Sequence, residues 1–233
     1  MVSMKFFTEY PDLLEIIKPA KKCIPQWFKN QLGTCPIDTS KLPQGNYNFS
    51  TIKKCPGIVD FLSTGYILHM WETVNLSITQ DETRDSMCPI KDFNGNTGWP
   101  LLESENPHVS WDIHHVSQFL ELPIRQTYNH AIKLINPIKA RSSKGTKLLV
   151  LPLLYENADY KIMPGVIDTS FYPYLHLPTL LSKDITIEKG TPIAHFIPIS
   201  DIDATVDLIS NEDLEFLENW NNTNNKEKEY RKR

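Results

Sequence analysis

The chain has 233 residues, 40% of them hydrophobic and 10% aromatic, which is enough to fill a core without disulfides or a structural metal. Its formal net charge of −4 argues against a surface dominated by phosphate-tracking cations, so nucleic acid is not indicated. No apolar run reaches the ~20 residues that cross a bilayer, and MVSMKFFTEYPDLL has neither the basic start nor the cleavage site of a secretion signal.

With 17 prolines against 9 glycines, the pattern is mostly of period two with little room for long helices. MKFFTEY reads as a first strand. IPQWFKNQLG reads as a short helix over 24–32, with Pro25 in its first turn and Gly33 past its end. CPGIVDFLSTG gives a second helix over 56–64, opened by Pro56 and closed by Gly65. In YILHMWETVNLSIT, Tyr66, Leu68, Met70, Val74, Leu76 and Ile78 form an apolar row interrupted at Glu72, which predicts one long strand with Trp71 on its polar side. Residues 81–107 are rich in turn formers and read as a long excursion, and HVSWDIHHVSQFLEL fits a strand or a short helix equally. From residue 128 onward the chain becomes short strands: HAIKLIN, TKLLVLPLLY, YKIM, YLHLP, DITIE and PIAHFIPIS. Ser210 and Asp213 resemble a capping box opening a helix over 210–222, where Leu214, Leu217, Phe216 and Trp220 stand at helical spacing. A charged tail, 223–233, is expected to be flexible.

Together these segments predict a mainly β fold. The expected form is a single-domain antiparallel jelly-roll-like sandwich or barrel over 1–222, with short peripheral helices and a C-terminal helix. Cys23, Cys35, Cys55 and Cys88 include no CxxC pair, so reduced thiols are expected in place of a zinc site.

TIKKCPGIVDFLSTGYI, WDIHHVSQ and PGVIDTSFYPYLHLP through ITIEKGTPIAHFIPIS resemble an uncharacterised family of phage and bacterial proteins, a domain of unknown function frequent in marine bacteriophages. The resemblance spans most of residues 20–200. It implies a phage protein in the host cytoplasm or virion, and it carries no biochemical activity with it. IMPGVIDTSFYPYLHLP is locally similar to the deoxyuridine triphosphatase fold. That similarity would make Asp168 a base, Phe171 the aromatic over the deoxyribose, and ARSSKG and KGTPIAH the matching phosphate and strand-turn motifs. This sequence departs from the pattern at Pro173 and Pro192, in the spacing from Arg141 to Asp168, and in lacking a glycine-rich arm over residues 200–233. Glycine matters in such an arm because backbone amides must approach phosphates closely. The alternative role for Asp168 is a turn residue whose side chain caps nearby amides.

Seven histidines allow a metal site, iron or zinc, from His115, His176 and His195, although no HxD, HxE, HxH or HExxH spacing is present. Tyr174 and His176 share one strand face, with His195 expected on a neighbouring strand. His69, Trp71 and Trp111 are the candidate binding surface, because tryptophans rimmed by polar residues mark contact sites. No nucleotide-binding glycine loop and no GxSxG elbow occurs. The function expected from this pattern is a non-catalytic binding or assembly module with a protein partner or a second copy of itself. The alternative is an enzyme with a pocket in the sandwich, either iron-dependent or a degenerate nucleotide hydrolase using Asp168.

Overall fold

The computed structural model describes residues 4–34, 51–79, 90–91, 97–103, 110–113, 130–154 and 159–200, together with Asn211, Glu212, Glu215 and Glu218. For 76–79, 90–91, 97–103, 110–113 and His130 only the backbone course is described. The chain divides into two compact units: Met1–Cys23 with Gly65–Asp201, and Ile24–Thr64 with Ile202–Arg233.

The first unit is built from antiparallel sheets. A two-stranded ribbon pairs β1 (Met4–Phe7) with β9 (Lys139–Ser142). A five-stranded sheet has the order β12 (Gly165–Ile167), β10 (Thr146–Pro152), β15 (Pro192–Ser200), β3 (Tyr66–His69), β2 (Ile17–Pro19). One four-stranded sheet runs β11 (Tyr160–Ile162), β13 (Leu177–Leu181), β8 (His130–Ile135), β7 (Ser110–Ile113). The other runs β14 (Ile185–Ile187), β4 (Val74–Thr79), β6 (Thr97–Glu103), β5 (Ile90–Lys91). The expected mainly β, antiparallel class is therefore present.

Side-chain alternation explains why these segments are strands. In β10, Thr146, Leu148, Val150 and Pro152 are buried, while Lys147, Leu149 and Leu151 are half-buried on the other face. β15 lies between β10 and β3, and Ile193, Ala194, His195 and Phe196 are all buried, as a central strand covered on both faces requires. Past Phe196 only β10 remains alongside, so Pro198 interrupts no ladder on the β3 side. A single apolar cluster gathers Leu68, Leu148 and Phe196 from the five-stranded sheet, Ile132, Leu134 and Leu177 from one four-stranded sheet, and Val74 and Ile187 from the other.

One expectation changes here. The long strand over 66–79 is two strands in two sheets. β3 pairs with β15 and β4 with β14, and the chain turns between them at 70–73. Met70 N donates to Thr191 O and Gly190 N to Met70 O, both at 2.8 Å, so the turn follows the link between β14 and β15. Glu72, the break in the apolar row, pairs with Lys189 there at 3.2 Å. Moreover, β2, β9 and β12 are strands that the sequence pattern did not single out, and β5 and β6 fall within 81–107, the segment expected as a long excursion.

In the second unit, α1 (Gln26–Asn30) and α2 (Pro56–Ser63) match the two expected short helices. Phe28 and Leu62 are its buried apolar residues among those described, and Trp27 meets Phe28 edge to face at 5.6 Å. Lys53 Nζ donates to Lys29 O at 2.8 Å, and Thr51 Oγ1 donates to Leu32 O. Asn211, Glu212, Glu215 and Glu218 are helical and exposed, in keeping with the expected outer face over 210–222; the apolar positions expected there lie outside the described residues.

Candidate functional site: an exposed aromatic turn

β12 ends at Ile167, and Asp168 opens a tight turn. Asp168 O accepts from Phe171 N at 3.1 Å and from Tyr172 N at 2.8 Å, while Asp168 Oδ1 accepts from Ser170 N at 3.0 Å and Ser170 Oγ at 2.6 Å. This is the local side-chain-to-backbone bonding that aspartate favours in turns. The Ser170 hydroxyl and backbone amide hold the Asp168 carboxyl below its usual range, helped by the charge of Lys147. A carboxylate stabilised in this way is a weak proton acceptor, since a general base works best with a pKa near the operating pH. The arrangement is that of a turn cap.

The turn is tied to β9 at two places. Ala140 N donates to Pro173 O at 2.9 Å beside the Lys139–Tyr174 bridge, and Thr169 Oγ1 donates to Ser142 Oγ at 2.8 Å. Held between these anchors, the intervening side chains cannot fold into the core. Phe171 is 88% exposed, Tyr172 44% and Tyr174 43%. The Tyr172 and Tyr174 rings meet edge to face at 5.5 Å, and His176 joins them at 6.2 Å from Tyr172 and 5.6 Å from Tyr174. Lys139 Nζ lies 5.7 Å from the Tyr174 ring centroid, within cation–π reach. Lys139 also pairs with Glu9 at 2.5 Å; that bond lowers the Glu9 pKa and raises that of Lys139. Upstream, Val166 on the edge strand β12 is 56% exposed. Three aromatic rings, a histidine and an aliphatic side chain thus lie in one short, backbone-pinned stretch.

The other candidate residues fall elsewhere. His195 is buried in β15, opposite Leu151 of β10 and Ile67 of β3. His176 precedes β13 in a four-stranded sheet, so the two histidines are not on neighbouring strands as expected. His115 lies outside the described residues, and among those described no three His, Cys, Asp or Glu side chains gather into a metal set. His69 and Trp71, expected as a binding surface, are buried. The physical reason is the turn at 70–73, where the chain leaves one sheet for another and buries both sides of the segment. His69 Nδ1 lies 3.0 Å from Ile16 O, which assigns the ring proton to Nδ1, and burial lowers its pKa. Among the described residues Trp71 Nε1 is buried without a hydrogen-bond partner. Trp111 stands on β7 opposite Leu134, and its side chain lies outside the described residues. Cys55 is exposed at the start of α2 and caps it with no side-chain bond.

The exposed cluster was visible in the sequence only as SFYPYLH, three aromatics around a proline. No protein-family model matches the chain, and a search of curated proteins finds no relative.

Proposed function

We propose that this chain is a non-catalytic binding or assembly module acting through protein contacts, with the turn at 168–176 as its contact surface. The observation that carries this reading is Phe171, 88% exposed at the tip of a turn whose backbone is locked by Asp168 and β9. Large apolar side chains held rigidly in solvent gain free energy when a partner covers them, and aromatic residues on a preordered backbone lose little entropy on binding. Adjoining Tyr172 and Tyr174 add a hydroxyl-bearing rim, a mixture enriched at interfaces. In this reading the sheets form a jelly-roll-like sandwich that presents the turn, supported by the core they share. The hydrolase alternative is weakened because Asp168 Oδ1 already serves Ser170.

The test is site-specific photocrosslinking. A photoreactive phenylalanine analogue at position 171 should give a defined protein adduct, to another protein or to a second copy, whereas the same group at exposed Leu154 should not. Equal adducts at both positions, or a melting temperature raised by dUTP but unaffected by Phe171→Ser, would overturn the proposal, because a ligand binding only the native state raises its apparent stability.

A further inference from the structure

The aromatic surface continues onto the β1–β9 ribbon, and there its chemistry changes sign. Alternation along the ribbon puts Ala140, fully buried, and Phe6, packed on the core, on one side. Lys139 and Arg141 of β9 take the other side, opposite Phe7 and Lys5 of β1. Lys5 and Arg141 are therefore like charges directly across from each other, and both are exposed. Such a pair opposes folding unless a counter-charge is supplied. Among the described residues none is. Lys5, Arg141 and Lys144 in the turn that follows β9 make no ion pair among the described residues, while the nearby carboxylates are engaged, Glu9 by Lys139 and Asp168 by Ser170. The aromatic turn runs along the far edge of β9, anchored at Lys139 and at Ser142, so Arg141 lies between its two anchors.

A protein of net charge −4 thus presents one face on which cations stand unanswered beside exposed rings. At physiological ionic strength screening acts over about 8 Å, so a docked partner responds to this face and not to the charge of the whole molecule. The guanidinium of Arg141 can donate two parallel hydrogen bonds to a carboxylate, and the exposed rings of the turn anchored on either side of it in β9 suit apolar or aromatic side chains. Glu9 and Asp168 flank the face. A continuous phosphate chain would meet repulsion at both, whereas a polypeptide can place neutral residues there.

We infer that the ribbon and the turn form one docking face for an acidic protein segment with interspersed aromatic residues. Its carboxylates rest on Lys5 and Arg141 and its rings on Phe171, Tyr172 and Tyr174. This rests on the contact surface proposed above and names the class of partner it takes.

The test uses the full chain and fluorescence anisotropy with four labelled probes of equal length: alternating Glu–Tyr, Gln–Tyr and Lys–Tyr peptides, and an oligothymidylate. The Glu–Tyr peptide should bind tightest and weaken as salt rises from about 50 to about 300 mM. The pair Lys5→Glu and Arg141→Glu should weaken it by about tenfold and turn the preference toward Lys–Tyr, because each exposed attraction becomes a repulsion of similar size. Lys5→Gln with Arg141→Gln should give an intermediate affinity at an unchanged melting temperature, which separates charge from folding. Phe171→Ser with Tyr172→Ser should weaken the Glu–Tyr and Gln–Tyr peptides alike. Equal binding of Glu–Tyr and Gln–Tyr, both lost with Phe171→Ser, would overturn the acidic partner and leave the contact surface standing. Indifference of every peptide to Phe171→Ser with Tyr172→Ser would overturn both. Tighter binding of oligothymidylate would replace the protein segment with a single-stranded nucleic acid.

Discussion

Among the glycines whose surroundings the structure describes, Gly65 is the one whose replacement the fold should tolerate least. It holds φ +77°, and a Cβ built there would stand 2.2 Å from Phe196 O and 3.1 Å from both Phe196 C and Ile197 Cα. The first distance falls 1.2 Å short of the 3.4 Å at which ordinary contact begins. The obstructing atoms are backbone of β15, where Phe196 is paired on both sides and Ile197 with β10, and Gly65 O itself accepts from Ala20 N at 2.9 Å, so neither side can yield cheaply. Gly145 is the natural control, with φ +81° and nothing within 4 Å of its Cβ position. Alanine at 145 should cost only the left-handed backbone penalty, about 1–2 kcal/mol. At 65 it should add an overpacking penalty of about 1–3 kcal/mol, for a total of roughly 2–5 kcal/mol. Asparagine sharpens the comparison because it accepts positive φ more readily while keeping its Cβ. Gly145→Asn should therefore be nearly silent, while Gly65→Asn should retain most of the loss. In thermal unfolding followed by circular dichroism, about 2–4 °C is lost per kcal/mol in a chain of this size, so the steric difference of about 1–3 kcal/mol should separate the Asn pair by roughly 2–12 °C. Equal melting temperatures for Gly65→Asn and Gly145→Asn would refute the steric argument and leave only backbone preference.

Other predictions concern individual side chains. Ser170→Ala removes the hydroxyl that most lowers the Asp168 pKa, so carboxyl-detected NMR titration should show that group moving up toward its ordinary value; an unchanged titration would mean the bond does not form. The His69 pKa is depressed in the folded state, so between it and the unfolded value near 6.5 the unfolded chain binds more protons; the stability His69 contributes is full above about pH 6.5 and lost as pH falls through the folded pKa. Denaturation midpoints measured from pH 8 to 5 should fall in that window, and His69→Gln should flatten the fall. Trp71→Phe removes a buried donor without a partner, a gain of about 1–3 kcal/mol that offsets the cavity left by the smaller ring. Its stability by denaturant titration should stay within about 1 kcal/mol of the parent, whereas Leu148→Ala, at a fully buried site with no such compensation, should cost about 2–5 kcal/mol.

The amino-acid sequence by itself determined the fold class, because strand periodicity and helix boundaries depend on neighbours a few residues away. TKLLVLP holds a short apolar run between Gly145 and Pro152, the local mark of the strand that β10 forms, and Pro56 with Gly65 bounds α2 without help from distant residues. Tertiary structure alone decided how the strands were shared among sheets. YILHMWETVNLSIT reads as one strand because alternation is blind to partners, and only the separate pairing of β3 with β15 and β4 with β14 bends it at 70–73. That bend buries Trp71 and His69, which periodicity alone had left on a polar face. The contact surface depended on the same long-range pairing. Lys5 and Arg141 are separated by most of the chain, and SFYPYLH carries no mark of exposure until β9 holds Tyr174 outward. Burial is a property of what the rest of the chain leaves uncovered, and no local pattern encodes it.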